Sequence, residues 1–249
     1  MSGKNFRTIA GGQRTNAEGK QVTNRVLLAA PDNEFDLMRA DLTYIDLPSH
    51  LSLHEPAQDI KFVYFPNRGM VSQVVVTKDG STVEVGVVGH EGYVGSGLAT
   101  GLTRSSVREI IQVAGDGFRM MSNALQRVLR SAPQLQLLLN RHTGLQGMQV
   151  AQTAACNRLH DIQQRLSRWL LMTQDRVGSG MLPITHDFIA TMMGTDRTTV
   201  SLAATVMQKN GIIDYVRGAV KIVNRRKLEK TSCECYGVIQ QLEDELGLR

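Results

Sequence analysis

The sequence predicts an α+β chain: an N-terminal all-β domain of sandwich or jelly-roll type, a long helix, and a C-terminal helix-turn-helix with a β-hairpin wing. Three observations carry this. From Leu51 to Met120 the apolar residues recur with a period near two between closely spaced turns. From Ser131 to Trp169 they recur every three or four residues. From Thr185 to Asn224 two short helical patterns flank a glycine and lead into an alternating hairpin.

The chain has 249 residues, long for one domain and sufficient for two. Its hydrophobic fraction of 42% supports a buried core. Net charge is +5, with pI near 9.3, which favours an anionic partner. Between His186 and Lys230 eight Lys/Arg stand against four Asp/Glu, so most of the excess lies in that window. No apolar run approaches the roughly 18 residues of a membrane helix, and the N-terminus shows no apolar signal segment. A cytoplasmic protein with no membrane partner is expected. Three cysteines make no disulfide framework.

Residues Met1 to Asn24 are rich in Gly, Asn and Lys and read as a flexible tail. Pro31 suits the first position of a helix that carries Phe35, Leu37, Met38 and Leu42, and Pro48 ends it. Phe62–Phe65, Val71–Thr77, Thr82–Val88, Val107–Val113 and Phe118–Met120 read as strands. Lys78-Asp79-Gly80-Ser81 is a hairpin turn, because Asp-Gly tolerates positive φ. The long helix places Leu145, Met148, Gln152, Ala155, Leu159, Ile162, Leu166 and Trp169 at gaps of three and four. That period fits a coiled-coil seam or an intramolecular core helix alike. Gly144, Gly147 and Ala151 would let a second helix approach closely. Ser232 to Arg249 reads as a final amphipathic helix with Tyr236, Ile239, Leu242 and Leu246 on one face.

In the organising stretch, Thr185 can cap a first helix whose buried face is Ile189, Ala190 and Met193. Gly194 follows where a left-handed residue closes the helix. Thr195 or Asp196 can cap a second helix with Val200, Ala203 and Met207 inward. Its outer face shows Arg197, Thr198, Ser201 and Thr205, side chains that can reach base edges in a major groove. Ile213 to Val216, a turn at Arg217-Gly218, and Val220 to Val223 form the wing.

These residues resemble the winged helix-turn-helix of the Crp/Fnr family, the cyclic-AMP-receptor-like transcription regulators, and the likeness extends over about Leu27 to Asn224. It implies a tail over 1–24, a cyclic-nucleotide-binding-like β-roll sensor over 25–130, a dimerisation helix over 131–156, a winged helix-turn-helix over 157–230 and a C-terminal helix over 231–249. It also implies a hinge near Asn157, which would cap the next helix. The expected function is a homodimeric, sequence-specific DNA-binding regulator reading a pseudo-palindromic site, with double-stranded DNA, a second copy, RNA polymerase and an unidentified small effector as partners. The alternative is a ligand-binding or protein-interaction module whose helix-turn-helix does not bind DNA.

Arg197 matches the family's guanine-contacting arginine, worth roughly 1–3 kcal/mol of discrimination. Thr198 and Leu202 stand where the family often has Glu and Arg, so the half-site sequence does not carry over. Thr185, Thr199, Ser201, Lys209, Arg217 and Lys221 are candidates for phosphate contact. In the β-roll, the family's cyclic-AMP binders hold the ribose with a Gly-Glu pair and the cyclic phosphate with an Arg-Ser pair. Gly95 matches, Ser96 replaces the Glu, and Arg104-Ser105 matches by type at a closer spacing. Ser96 is a poor acceptor for a ribose hydroxyl, so a differently selective pocket is expected, with a cyclic nucleotide as the lesser reading.

No metal site is expected. A four-iron cluster wants four thiolates, and only Cys156, Cys233 and Cys235 exist. Cys233-x-Cys235 reads as an incidental pair and Cys156 as a small packed residue. A haem ligand among the six histidines stays open. The chain shows no nucleophile elbow, phosphate loop or dinucleotide fingerprint, so no enzyme is expected.

Overall fold

The computed structural model describes residues 14–247. Helices α1 (Arg25–Ala29) and α2 (Asp32–Arg39) precede strands β1 (Thr43–Leu47), β2 (Ser52–His54), β3 (Phe62–Val76), β4 (Thr82–Val88) and β5 (Arg108–Met121). The sheet order is β1-β5-β3-β4, with β2 pairing on β5. Helix α3 (Ser122–Leu129) leads into the 27-residue α4 (Pro133–Leu159), with Pro133 at its start. Then come α5 (Ile162–Val177), β6 (Met181–Leu182), α6 (His186–Met193), α7 (Arg197–Lys209), β7 (Ile213–Val216), β8 (Ala219–Ile222), α8 (Arg225–Thr231) and α9 (Cys235–Glu245).

Two pairs of strands expected separately are continuous. β3 and β5 pair antiparallel from Phe62↔Met121 to Val74↔Arg108. The pairing slips three times between Pro66 and Val71, and these bulges fold the ribbon into a roll. Pro66 lacks an N–H for the ladder, Gly69 takes φ +90°, and a Cβ on Gly115 would collide with the Arg68 carbonyl. Turn residues within a run thus bend a strand without ending it. The turn at Asp79-Gly80 forms as expected: Asp79 accepts from Ser81 N at 3.2 Å, and Gly80 takes φ +85°.

Two expectations are corrected. Within residues 14–24, Arg14, Asn16, Val22 and Asn24 are buried, although the tail was expected to reach Asn24; residues 1–13 lie outside the described residues. The Arg14 guanidinium donates to Leu27 O and Ala30 O and pairs with Asp32, where α1 would otherwise leave carbonyls unmet. Asn67 Oδ1 accepts from Thr23 N and Asn24 N. These polar side chains, with Val22 fully buried in the apolar core, anchor the segment. The second correction is the hinge. Asn157 is an exposed helical residue, and the break falls at His160-Asp161. Asp161 caps α5 in a capping box with Gln164, a carboxylate and an amide three residues apart.

Two apolar cores meet at the sheet. One joins α1 to α4 to Val63, Phe65, Tyr93, Phe118 and Met120. The other joins Met70, Val74, Val87 and Val113 of the roll to α5, α6, α7, the small sheet and α9. No helix among the described residues is long and apolar enough to cross a membrane.

Candidate nucleic-acid interface

The helix-turn-helix forms from local chemistry. Thr185 accepts from Phe188 N at 3.2 Å and caps α6. Gly194 closes α6 at φ +61°. Of the two cap candidates for α7, Asp196 serves: it accepts from Thr199 N at 2.8 Å and from Thr199 Oγ1 at 2.6 Å. The Thr199 hydroxyl and N–H hold the Asp196 carboxyl below its usual range. Val200, Ala203 and Met207 are buried. The opposite face carries Arg197, Thr198, Leu202, Thr205 and Val206, all exposed. Strands β7 and β8 pair from Ile213↔Ile222 to Val216↔Ala219, and β6 adds a third strand to the wing.

The expected contact residues divide into open and engaged groups. Arg197 heads α7, with its guanidinium 3.3 Å from exposed Asp187. An ion pair so exposed is worth little and can be exchanged. Lys209, Arg217 and Lys221 are exposed at the end of α7 and along the wing. Ser201 is half-buried, its Oγ 3.1 Å from His186 Nδ1, and the His186 ring packs on Tyr215 with centroids 4.1 Å apart. Burial first, then Arg197, pushes His186 below its usual range. Thr185 and Thr199 have their hydroxyls engaged in caps, as above.

In the β-roll, Gly95, Ser96, Arg104 and Ser105 line one cavity of about 250 Å³, with Gln73, Glu109, Thr143 and Gln146. The four expected residues come together, but two are not aimed as a cyclic phosphate would need. Arg104 and its partner Asp59, 3.2 Å away, are each 71% exposed. The Ser105 hydroxyl donates to Val107 O at 2.7 Å. Glu109 is buried against His54 Nδ1 at 2.5 Å and accepts from Gln73 at 2.9 Å. Gln146 of α4 is buried, and its amide has no protein partner.

Residues 164–231 match the family model of the Crp-like helix-turn-helix domain. Solved structures share the wider fold. A candidate Crp/Fnr-family transcriptional regulator from Eubacterium rectale aligns at TM-score 0.65 and 14% identity, over 81% of this chain and 94% of that one. The c-di-GMP-responsive global regulator CLP of Xanthomonas campestris aligns at 0.64 and 15%, over 78% and 100%. FixK2 of Bradyrhizobium japonicum aligns at 0.64 and 14%, over 77% and 98%. No curated protein matches the sequence. Residues 164–231 thus form a Crp-like helix-turn-helix domain, and the wider chain shares the fold of Crp/Fnr-family structures.

Part of the basic run Arg225-Arg226-Lys227 serves the fold. Arg225 pairs with Asp175 at 2.7 Å and Glu229 at 2.9 Å, and Lys227 Nζ donates to Asn210 O at 2.9 Å. Asn224 caps α8, which turns the run into a helix. The sequence reading also missed Arg176. It is buried between Glu91 of the roll at 2.7 Å and Glu243 of α9 at 2.9 Å. That pairing accounts for Glu243 near a helix C-terminus, where a carboxylate is otherwise unfavourable. Only partners distant in sequence identify such a residue.

Proposed function

We propose that this chain is a transcription regulator of the Crp/Fnr type, a homodimer that lays α7 of each copy into the major groove of a pseudo-palindromic site. Half-sites would lie about one helical turn apart. The observation that carries the reading is the exposed outer face of α7, headed by Arg197 and flanked by Lys209, Arg217 and Lys221. Arg197 reads guanine, and the flanking cations meet phosphates. Thr198 and Leu202 lie beside the bases, where Leu202, 65% exposed, suits a thymine methyl.

Pairing through α4 is supported by its two unlike faces. Inward it presents His142, Gln146, Gln149 and Thr153 to the chain's own roll. Outward it presents Gly144, Met148, Ala151, Ala155 and Leu159, small or apolar and exposed. A row of this kind suits a second copy of the same helix. A small effector occupies the β-roll cavity and touches Gln146 on the pairing helix, and RNA polymerase is the downstream partner.

Selection from random duplexes by the full chain, with and without cell extract, tests this. A recovered two-fold site whose affinity falls linearly with log salt supports it. A strictly monomeric protein that recovers no sequence under either condition refutes it.

A further inference from the structure

All three cysteines of the chain meet at one point. Cys156 lies in the last turn of α4, and His160 is the residue that ends that helix. Cys233 and Cys235 bracket the start of α9, 77 residues from Cys156 at the nearest. Cys156 Sγ is 3.5 Å from Cys233 Sγ, and Cys235 Sγ is 3.6 Å from His160 Nδ1. The four donor atoms lie within 4.8 Å of one another. The cysteines are buried and form a small cluster of their own, apart from the two main apolar cores.

Tetrahedral zinc bound at about 2.3 Å to sulfur and about 2.0 Å to nitrogen spaces its donors by roughly 3.5–3.8 Å. The observed separations fit that geometry. The surroundings fit as well. His160 turns Nδ1 toward the sulfurs and holds Nε2 3.2 Å from Glu234 Oε1, the carboxylate–histidine arrangement that fixes a ligating ring. Gln152 Nε2 donates to Cys235 Sγ at 3.0 Å, a bond that stabilises a thiolate.

We propose that Cys156, His160, Cys233 and Cys235 bind one zinc ion as a closed structural site. Four protein donors leave no open position, so the ion does no chemistry of its own. Its place is mechanical: it ties the C-terminal end of α4, at the break before α5, to the start of α9. A Cys156–Cys233 disulfide would use two of the donors and leave Cys235 and His160 without a role. A four-iron cluster places each thiolate on its own iron and a two-iron cluster splits its four ligands into two separated pairs, so either would spread the donors further than the 4.8 Å that encloses all four here.

The test uses the full chain, purified without added metal. Elemental analysis should give one zinc per chain, resistant to dialysis and released by a mercurial that titrates three thiols. Exchange with Co(II) should give the visible bands of a tetrahedral site and a thiolate charge-transfer band. Because the sequence has no other cysteine, that band reports this cluster without any variant. Cys235→Ser should lose most of the bound zinc, and Glu234→Gln should keep the stoichiometry with roughly 10–100-fold weaker retention. Three free thiols with no cobalt spectrum would overturn the proposal. So would an intact Cys156–Cys233 disulfide in the native protein, or iron and sulfide in place of zinc.

Discussion

The indole Nε1 of Trp169 donates to the Glu84 carboxylate at 2.7 Å, and this bond crosses from α5 to β4 of the roll. Ser72 Oγ donates to the other carboxylate oxygen at 2.5 Å. The surface by which α5 and the helix-turn-helix region rest on the sheet thus has a buried acid within it.

Burial pushes Glu84 up from 4.5 to about 7, against the two donors and the nearby Arg168 and Arg176, which pull it down. The folded state therefore holds its proton more tightly than the unfolded chain. Its contribution is fully present below about pH 4.5 and is lost as pH rises through about 7. Glu84→Gln keeps an acceptor for Trp169 and cannot ionise. Wild type should lose on the order of 2 kcal/mol relative to this variant between about pH 5 and pH 8, read by urea unfolding. A gap that does not change with pH rules the idea out.

Arg176 joins the roll to the C-terminal helices as the cation between Glu91 and Glu243. Removing it strands two carboxylates, the first of them fully enclosed. Arg176→Met should cost about 3–5 kcal/mol in chemical denaturation. Adding Glu91→Gln and Glu243→Gln to it should restore most of that loss, because no uncompensated charge then remains. If the triple variant is as unstable as the single one, the cost lies in packing rather than in charge.

The proposed docking assigns different roles to two cations. Arg197→Ala should flatten sequence preference, with roughly 1–3 kcal/mol lost on the selected site and little on random duplex. Lys221→Ala should weaken every duplex alike and lower the salt slope by about one. Titrations of both variants on both duplexes decide it, and a uniform loss from each would remove Arg197 from the reading role.

Cyclic AMP at saturating concentration should leave the melting temperature unchanged. Arg104 is paired with Asp59 at the surface, Ser105 is engaged with Val107, and Ser96 stands where the family's ribose acceptor would be. A clear upward shift would show a pocket that rearranges to bind the nucleotide.

The helix-turn-helix was legible because its signals are local. Thr185, Gly194, the 200–203–207 stripe and the Arg217-Gly218 turn all act within a few residues of themselves. The long helix was legible by period, but its faces were not. The eight-residue seam divides in the structure: Leu145 and Trp169 are buried in their own chain, while Met148, Ala155 and Leu159 face out. A 3.5-residue period describes a stripe without saying which surface covers it. The four cavity residues were found together, but their availability was not, since Asp59 and Val107 intervene from neighbouring loops.

By itself the sequence determined the helix-turn-helix with its hairpin, the long helical region, the order in which these follow the strands and the face of α7 that carries Arg197, because caps, turns and periods act over one or two turns of chain. Only the tertiary structure decided which charges are held and which are free, and that the last helix returns to the break after α4. Those facts rest on contacts such as Glu91–Arg176–Glu243 and Cys156–Cys233, whose partners lie 67 to 85 residues apart. Pairings at that range leave no periodic trace, so folding alone brings them together.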